Sequence, residues 1–381
     1  MERKFRGFVN LVVLIAFVGG ILIFVGCAKK EPEEYKIGAI LPLTGDAAQY
    51  GEWAKNGIEL AVKEINNKGG MKVKIIYEDS QAQPTKGVSA MNKLVTVDKV
   101  PVVIGAMASS VTLAIAPIAQ SSKTVLFSAA SSSPELTKAG DFFFRNWPSD
   151  LFEGNSMAEF AYDKLGFRKI GIIYVNTDYG IGIKDVFKKR FVALGGEISF
   201  EEGYPQGESN FRALLTKIKN IETDALYIPA QYSREMGRLL KQAGELGIKK
   251  QVLSTVTFES QEILELAGEA AEGVIYTAPA FDPDSSEQAI MDYQEKYKSA
   301  YGKKSEVFAA HAYDAMNIIA QAIEQGGYSA TGIKNALFKI KDYPGITGKT
   351  TFDENGDVVK PAMIKVVKDG KFLKYSEAVA K

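Results

Sequence analysis

Two stretches of the chain concentrate small hydroxyl side chains. Gly105–Thr112 (GAMASSVT) carries Ser109 and Ser110, and Phe127–Thr137 (FSAASSSPELT) carries Ser131, Ser132 and Ser133 ahead of Pro134. Hydroxyls beside the first N–H groups of a helix suit a small carboxylate, because those N–H groups have no acceptor within the helix and point at an incoming anion. Each of these serines, taken alone, serves equally well as a helix cap. Both stretches follow a short apolar run, Val100–Ile104 and Thr124–Phe127, and both lead into a helical pattern. Each is therefore expected to be a loop at the carboxyl end of a buried parallel strand, the place where open α/β sheets bind ligands.

Other chemistries find little support. Gly180-Ile181-Gly182 follows an apolar strand, and Glu201 and Glu202 stand where a ribose-binding acid is wanted, but the third glycine of a dinucleotide fingerprint is missing. A tight strand-to-helix turn presenting Tyr179 accounts for the same residues. A Ser-His-Asp hydrolase would have to use His311, the only histidine, and no G-x-S-x-G elbow accompanies it. His311 reads instead as a helix residue within AAHAYDAMNIIAQAI. No His, Cys and carboxylate cluster has metal-ligand spacing, and no cofactor is expected. Asp353–Asp357 lacks the remaining positions of a calcium loop and reads as a hairpin tip. Lys plus Arg and Asp plus Glu are equal at 46 each, which leaves no basic field for nucleic acid. The chemistry that remains is binding rather than catalysis.

A length of 381 residues exceeds what one hydrophobic core usually serves, so two lobes are expected. Strand-like Tyr35–Leu41 and Lys72–Tyr77 alternate with helical patterns over Gln49–Asn66 and from Pro84, and the two serine loops continue the series. The alternation restarts at Arg168–Val175 and runs through Gly273–Thr277. Such alternation specifies doubly wound parallel sheets. After a turn-rich break at Pro279–Asp284 come three helical stretches, about 286–301, 306–324 and 331–340, with little strand between them. They are expected to pack back on the first lobe. Asn355-Gly356 is a strong hairpin signal near the end.

At the amino terminus, Arg3, Lys4 and Arg6 precede an apolar run from Leu11 to Val25, and Gly26-Cys27 is followed at once by charged residues. This is the layout of a secretory signal. Cys27, the only cysteine, stands at the cut and resembles the lipid-accepting cysteine of a bacterial lipobox, with Phe24 in place of the usual Leu. An uncleaved membrane anchor is the alternative. Both place Tyr35 onward outside the cytoplasm, and the lone cysteine excludes an intramolecular disulfide.

Taken together, IGAILPLTGDAAQYGEWAKNGIELAVKEINNKGG, IGAMASSVT, FSAASSSPELT, FFFRNWPSD, NTDYGIG and LAGEAAEGVIY resemble the type I periplasmic binding proteins of the leucine/isoleucine/valine-binding group. These are receptors of branched-chain amino acid ABC transporters. The resemblance implies an α/β Venus-flytrap fold, with two doubly wound parallel-sheet lobes joined by a three-crossover hinge. Residues 1–27 read as signal and lipobox and 28–34 as a charged tether, and the resemblance implies 35–148 with 279–348 as lobe one and 149–278 with 349–381 as lobe two. It implies a monomer that is not an enzyme, anchored by lipid on Cys27 and delivering an apolar amino acid to membrane permease subunits. A same-fold sensory receptor for another small carboxylate or amide is the alternative.

By the same resemblance, Ser109 and the N–H of Ser132 hold the ligand carboxylate. The carbonyl of Ser131, the hydroxyl of Ser132 and an acid from lobe two hold its ammonium, and Tyr50 and Tyr179 wall the pocket. An ungapped match puts Val256 in the place of that acid. Glu259, three residues further on, is the candidate ammonium partner, and a solvated loop charge is the competing reading of it.

Overall fold

The computed structural model describes residues 33–379, so the amino-terminal apolar run and Cys27 lie outside the described residues. From Tyr35 onward the alternation seen in the sequence becomes two sheets and a small hairpin.

The first sheet consists of β1 (Tyr35–Leu41), β2 (Val73–Asp79), β3 (Val102–Gly105), β4 (Val125–Ser128) and β5 (Phe143–Arg145), in the order β2-β1-β3-β4-β5. All its pairings are parallel. Helices α1 (Ala48–Lys68), α2 (Pro84–Thr96) and α3 (Ser109–Ser122) connect the strands. β3 and β4 are buried along their whole length, which is why they read as unbroken apolar runs rather than as alternation.

The second sheet takes α4 (Asp150–Glu159), β6 (Lys169–Val175), α5 (Asp178–Ala193), β7 (Glu197–Tyr204), α6 (Arg212–Ile218), β8 (Ala225–Tyr227), α7 (Ser233–Glu245), β9 (Gln251–Ser254), α8 (Gln261–Ala267) and β10 (Ile275–Pro279). After β10 come α9 (Gln288–Tyr301), α10 (Val307–Gly326) and α11 (Ala330–Leu337), then a hairpin of β11 (Tyr343–Gly345) and β12 (Gly348–Thr350). The chain then returns as β13 (Ala362–Lys368) and β14 (Lys371–Lys374) and ends the described part in α12 (Tyr375–Val379). The second sheet has the order β14-β13-β10-β9-β8-β6-β7, with β13 antiparallel to β10.

The helices after β10 cover the first sheet. Ala312, Ala315, Met316 and Ile319 of α10 share a core with Ile37, Ala39, Ile104 and Phe127. The contact of α10 with α1 is backbone to backbone: a Cβ on Gly57 would lie 2.1 Å from the carbonyl oxygen of Ala309. In an open helix interior Gly57→Ala would gain up to about 1 kcal/mol of helix propensity. Here overpacking reverses the sign, and a loss of about 1–3 kcal/mol is expected. Urea unfolding of G57A measures it, and a raised midpoint would mean the helices are not in contact there.

The chain thus passes between the sheets after β5, after β10 and between β12 and β13. The last passage includes Asn355-Gly356, where Gly356 has φ +78°. The hairpin read there is a single bridge wide, Phe352 opposite Val358. Its tip is spent on packing, because Arg145 N donates to Gly356 O and a Cβ on Gly356 would lie 2.2 Å from Phe143 O.

Candidate ligand-binding site

The carboxyl ends of β3 and β4 release the two serine loops side by side. Ser128 Oγ donates to Ala106 O (2.8 Å) and accepts from Ser131 N (2.9 Å). Ser131 Oγ donates to the same Ala106 carbonyl and meets Thr112 Oγ1 at 2.7 Å. These bonds tie the second loop to the first. Arg145, fully buried at the end of β5, donates Nη1 to the carbonyls of Ser133 (2.9 Å) and Ser131 (3.4 Å). Asp150 N donates to Ser132 O. With its neighbours held in this way, Ser132 lines a cavity with its side chain beside the Asp150 carboxyl, and among the described residues its N–H meets no acceptor. Ser109, at the first turn of α3, faces the same cavity, and its Oγ accepts from Ser133 N at 3.2 Å.

The cavity has an empty volume of about 540 Å³, open solvent at its mouth included. Its wall is aromatic, formed by Tyr50, Trp147, Tyr179, Tyr232 and Phe308, with Met107 and Val256 between them. Trp147 stacks on Phe308 at 5.0 Å, and Phe308 meets Tyr50 edge-on at 5.1 Å. Tyr50 reaches from α1 to the start of α7, where its hydroxyl lies 2.8 Å from Ser233 Oγ and accepts from Ser233 N at 3.2 Å. Tyr179, in the first turn of α5, donates to Thr255 Oγ1 at 2.7 Å.

Of the residues singled out in the sequence, Ser109, Ser132, Tyr50 and Tyr179 come together here. Ser131 does not line the cavity; its hydroxyl is spent on Thr112 and Ala106, and its carbonyl faces Arg145. Glu259 also lies elsewhere. It pairs with Lys365 Nζ and accepts from Tyr276 Oη at 3.1 Å, in a charged groove beside β14.

Sequence reasoning missed Glu153. It sits in the first turn of α4, is 5% exposed and lines the cavity. Its Oε1 accepts from Thr277 Oγ1 (2.6 Å) and from Val256 N (3.2 Å). Burial pushes its carboxyl up to about 7. Asp150, one turn earlier and fully buried, is also held well above its ordinary range, first by burial and then by the charge of Glu153. The available signal was Ser149, which caps α4 through Leu151 N and marks a helix start. Acids in a first helical turn complement the helix dipole, so the pattern pointed to no ligand.

The remaining candidates have structural roles. His311 is buried in α10 with Nδ1 2.9 Å from Val307 O and its ring 4.6 Å from that of Trp147. Burial, followed by the charge of Lys360, holds it neutral far below its ordinary range. Gly180 belongs to a tight turn, since a Cβ there would lie 2.0 Å from Val175 O. Gly182 lets α5 approach Pro134. Glu201 pairs with Lys184 and Lys188, and Glu202 with Lys217. Among the described residues no three His, Cys, Asp or Glu side chains converge on a metal position.

Residues 34–371 match the family model described as periplasmic binding protein. A leucine-, isoleucine-, valine-, threonine- and alanine-binding protein of Pseudomonas aeruginosa is 30% identical over 329 residues, which is 85% of this chain and 87% of that one. The crystal structure of a leucine-binding protein LivK from Thermotoga maritima superposes with a TM-score of 0.83 at 30% identity, covering 90% of this chain and 99% of that one. The branched-chain amino acid transporter binding protein LivJ of Streptococcus pneumoniae, in complex with isoleucine, does so at 0.82 and 30%, covering 89% and 98%. The chain therefore belongs to the periplasmic binding protein family, in its leucine/isoleucine/valine-binding group.

Proposed function

We propose that this protein is the extracytoplasmic solute receptor of an ABC importer, and that it takes a free amino acid with an apolar side chain into the cavity between its two sheets. One observation carries the reading: Ser109 and Ser132 bring two hydroxyl side chains and an unsatisfied N–H to a cavity lined by five aromatic rings. A carboxylate held there exchanges water for neutral dipoles, while the apolar side chain is buried against the rings. The relatives named above bind branched-chain amino acids, and this supports the ligand class.

In this reading residues 35–148 with 279–348, and 149–278 with 349–381, act as two lobes that close over the ligand. Tyr50 on one side and Tyr179 on the other serve as opposing walls. The closed form is favoured by contacts that the ligand makes on both sides, and the permease responds to that form. Lipid on Cys27 would hold the receptor at the membrane.

A melting screen of the purified protein against single amino acids tests the proposal. A ligand present at 1,000 times its Kd stabilises by about 4 kcal/mol, so leucine, isoleucine or a similar apolar amino acid is expected to raise the melting temperature by several degrees. No shift with any amino acid would refute the ligand class.

A further inference from the structure

The cavity has a charge asymmetry that its serine end does not explain. Of the residues that line it, Glu153 alone is charged. Other acids differ from it: half-buried Glu259 pairs with Lys365 and buried Asp357 with Arg145, while buried Glu235 accepts from Gly207 N and does not line the cavity. Glu153 forms no ion pair among the described residues. Thr277 and Val256 occupy only its Oε1, which leaves Oε2 as the oxygen available to the cavity. Its nearest charged neighbour on α4 is Asp150, whose two carboxylate oxygens are buried without a hydrogen bond of ordinary geometry. The guanidinium of Arg145 offsets Asp150 in part, but its N–H groups are committed to Asp357, Thr137 and the carbonyls of Ser131 and Ser133. The protein therefore places one buried carboxyl, Glu153, at the cavity, with Asp150 three residues before it, and no cation among the lining residues.

The two ends of the cavity adjoin through the backbone. Asp150 N, at the start of α4, holds the carbonyl of Ser132, and Glu153 follows one helical turn later. A ligand whose carboxylate meets Ser109 and Ser132 thus presents its neighbouring atoms to α4.

We infer that Glu153 is the specificity-determining residue of this site, accepting a charge-assisted hydrogen bond from the ammonium group of the ligand and so selecting an α-amino acid over the corresponding des-amino acid. The inference rests on the carboxylate role of Ser109 and Ser132 proposed above. The physical reason is charge balance. An ammonium group lets Glu153 ionise inside the cavity and gains a strong N–H to carboxylate bond. A plain carboxylic acid brings a further negative charge toward Glu153 and Asp150, so one group must take up a proton at a free-energy cost. Burial raises the Glu153 carboxyl in the absence of ligand, as expected for an acid awaiting its counterion.

Glu153→Gln tests this with little change of shape, because the amide oxygen can still accept from Thr277 and Val256. The probes are L-leucine, L-isoleucine and L-phenylalanine, each beside its des-amino carboxylate, titrated by calorimetry into wild-type protein and E153Q. Wild type is expected to prefer at least one amino acid over its des-amino partner by about 100-fold or more, and E153Q to lose most of that preference by weakening the amino acid. An unchanged preference in E153Q overturns the inference. So does tight binding of a des-amino acid by wild type without the amino acid, an outcome that leaves the carboxylate role of the serines standing. Binding of neither form to wild type overturns that role and this inference together. Should E153Q fail to fold, the paired probes on wild type decide the selectivity alone.

Discussion

Replacing Ser109 and Ser132 together by alanine is expected to remove ligand binding while leaving the protein folded. Both side chains are buried, at 2% and 4% exposure, and both face the cavity. A hydrogen bond to a charged group contributes about 1.5–3 kcal/mol, so losing two from a ligand carboxylate weakens binding by about two to four orders of magnitude. The cost to the fold is smaller. Ser109 Oγ accepts one internal bond, from Ser133 N at 3.2 Å, and removing it strands a single buried N–H at about 1–3 kcal/mol. The loops are otherwise fastened by Ser128, Ser131 and Arg145, which the double variant leaves intact. Calorimetric titration with the amino acid found in the melting screen, set beside a circular-dichroism melt, separates the two effects. Unchanged affinity would remove this site from consideration, and a collapsed melt would show that the serines hold the loops rather than the ligand.

The larger effect on stability belongs to Arg145 and Asp357. Arg145 Nε lies 2.6 Å from Asp357 Oδ1 and Nη2 lies 3.0 Å from Oδ2, in a fork with the arginine fully buried. Thr137 Oγ1 donates to Asp357 at 2.6 Å, so the aspartate is ringed by donors. The pair joins the last passage between the sheets to β5 and, through the Ser131 and Ser133 carbonyls, to the ligand loop. Arg145→Ala leaves the carboxylate of Asp357 and both carbonyls without their donor in a buried place, at an expected cost of about 3–5 kcal/mol. Arg145→Met combined with Asp357→Leu removes both charges at once and is expected to cost clearly less than the single change. Urea unfolding compares the variants, and a single change that costs under about 1 kcal/mol, as an exposed pair would, refutes the assignment. Because Arg145 also fixes the carbonyls that flank Ser132, R145A is expected to weaken the ligand even under conditions where it remains folded.

How much of this was legible beforehand depends on how local each cause is. The strands Tyr35–Leu41, Val102–Gly105, Val125–Ser128 and Lys169–Val175 announce themselves as apolar runs because parallel strands are buried on both faces. The helices that follow announce themselves by their spacing of apolar residues. The two serine loops could be singled out because they stand at a strand end and a helix start, both properties of the neighbouring chain, whereas the choice of Ser109 and Ser132 among their serines came from the resemblance. Tyr50 came from resemblance alone, whereas the strand-to-helix turn already pointed to Tyr179; both line the cavity.

Glu153 and Glu259 show where local reasoning ends. In the chain, Glu259 is an acid near a segment thought to face the ligand, and Glu153 is an acid in a helix start. Folding gives Glu259 a lysine from β13, Lys365, which lies 106 residues away, and a tyrosine from β10, so its charge is consumed. Folding gives Glu153 only neutral donors from Thr277 and Val256 and turns it to the cavity. The difference is made by partners from distant strands, and no spacing within the chain encodes it. The sequence by itself determined the alternation of strands and helices, the two serine loops at strand ends and the absence of a catalytic or metal-binding motif, because these follow from periodicity and composition. Only the tertiary structure decided that Glu153 lines the cavity without a counterion while Glu259 is paired, because desolvation and charge pairing depend on what three-dimensional packing brings within a few ångströms.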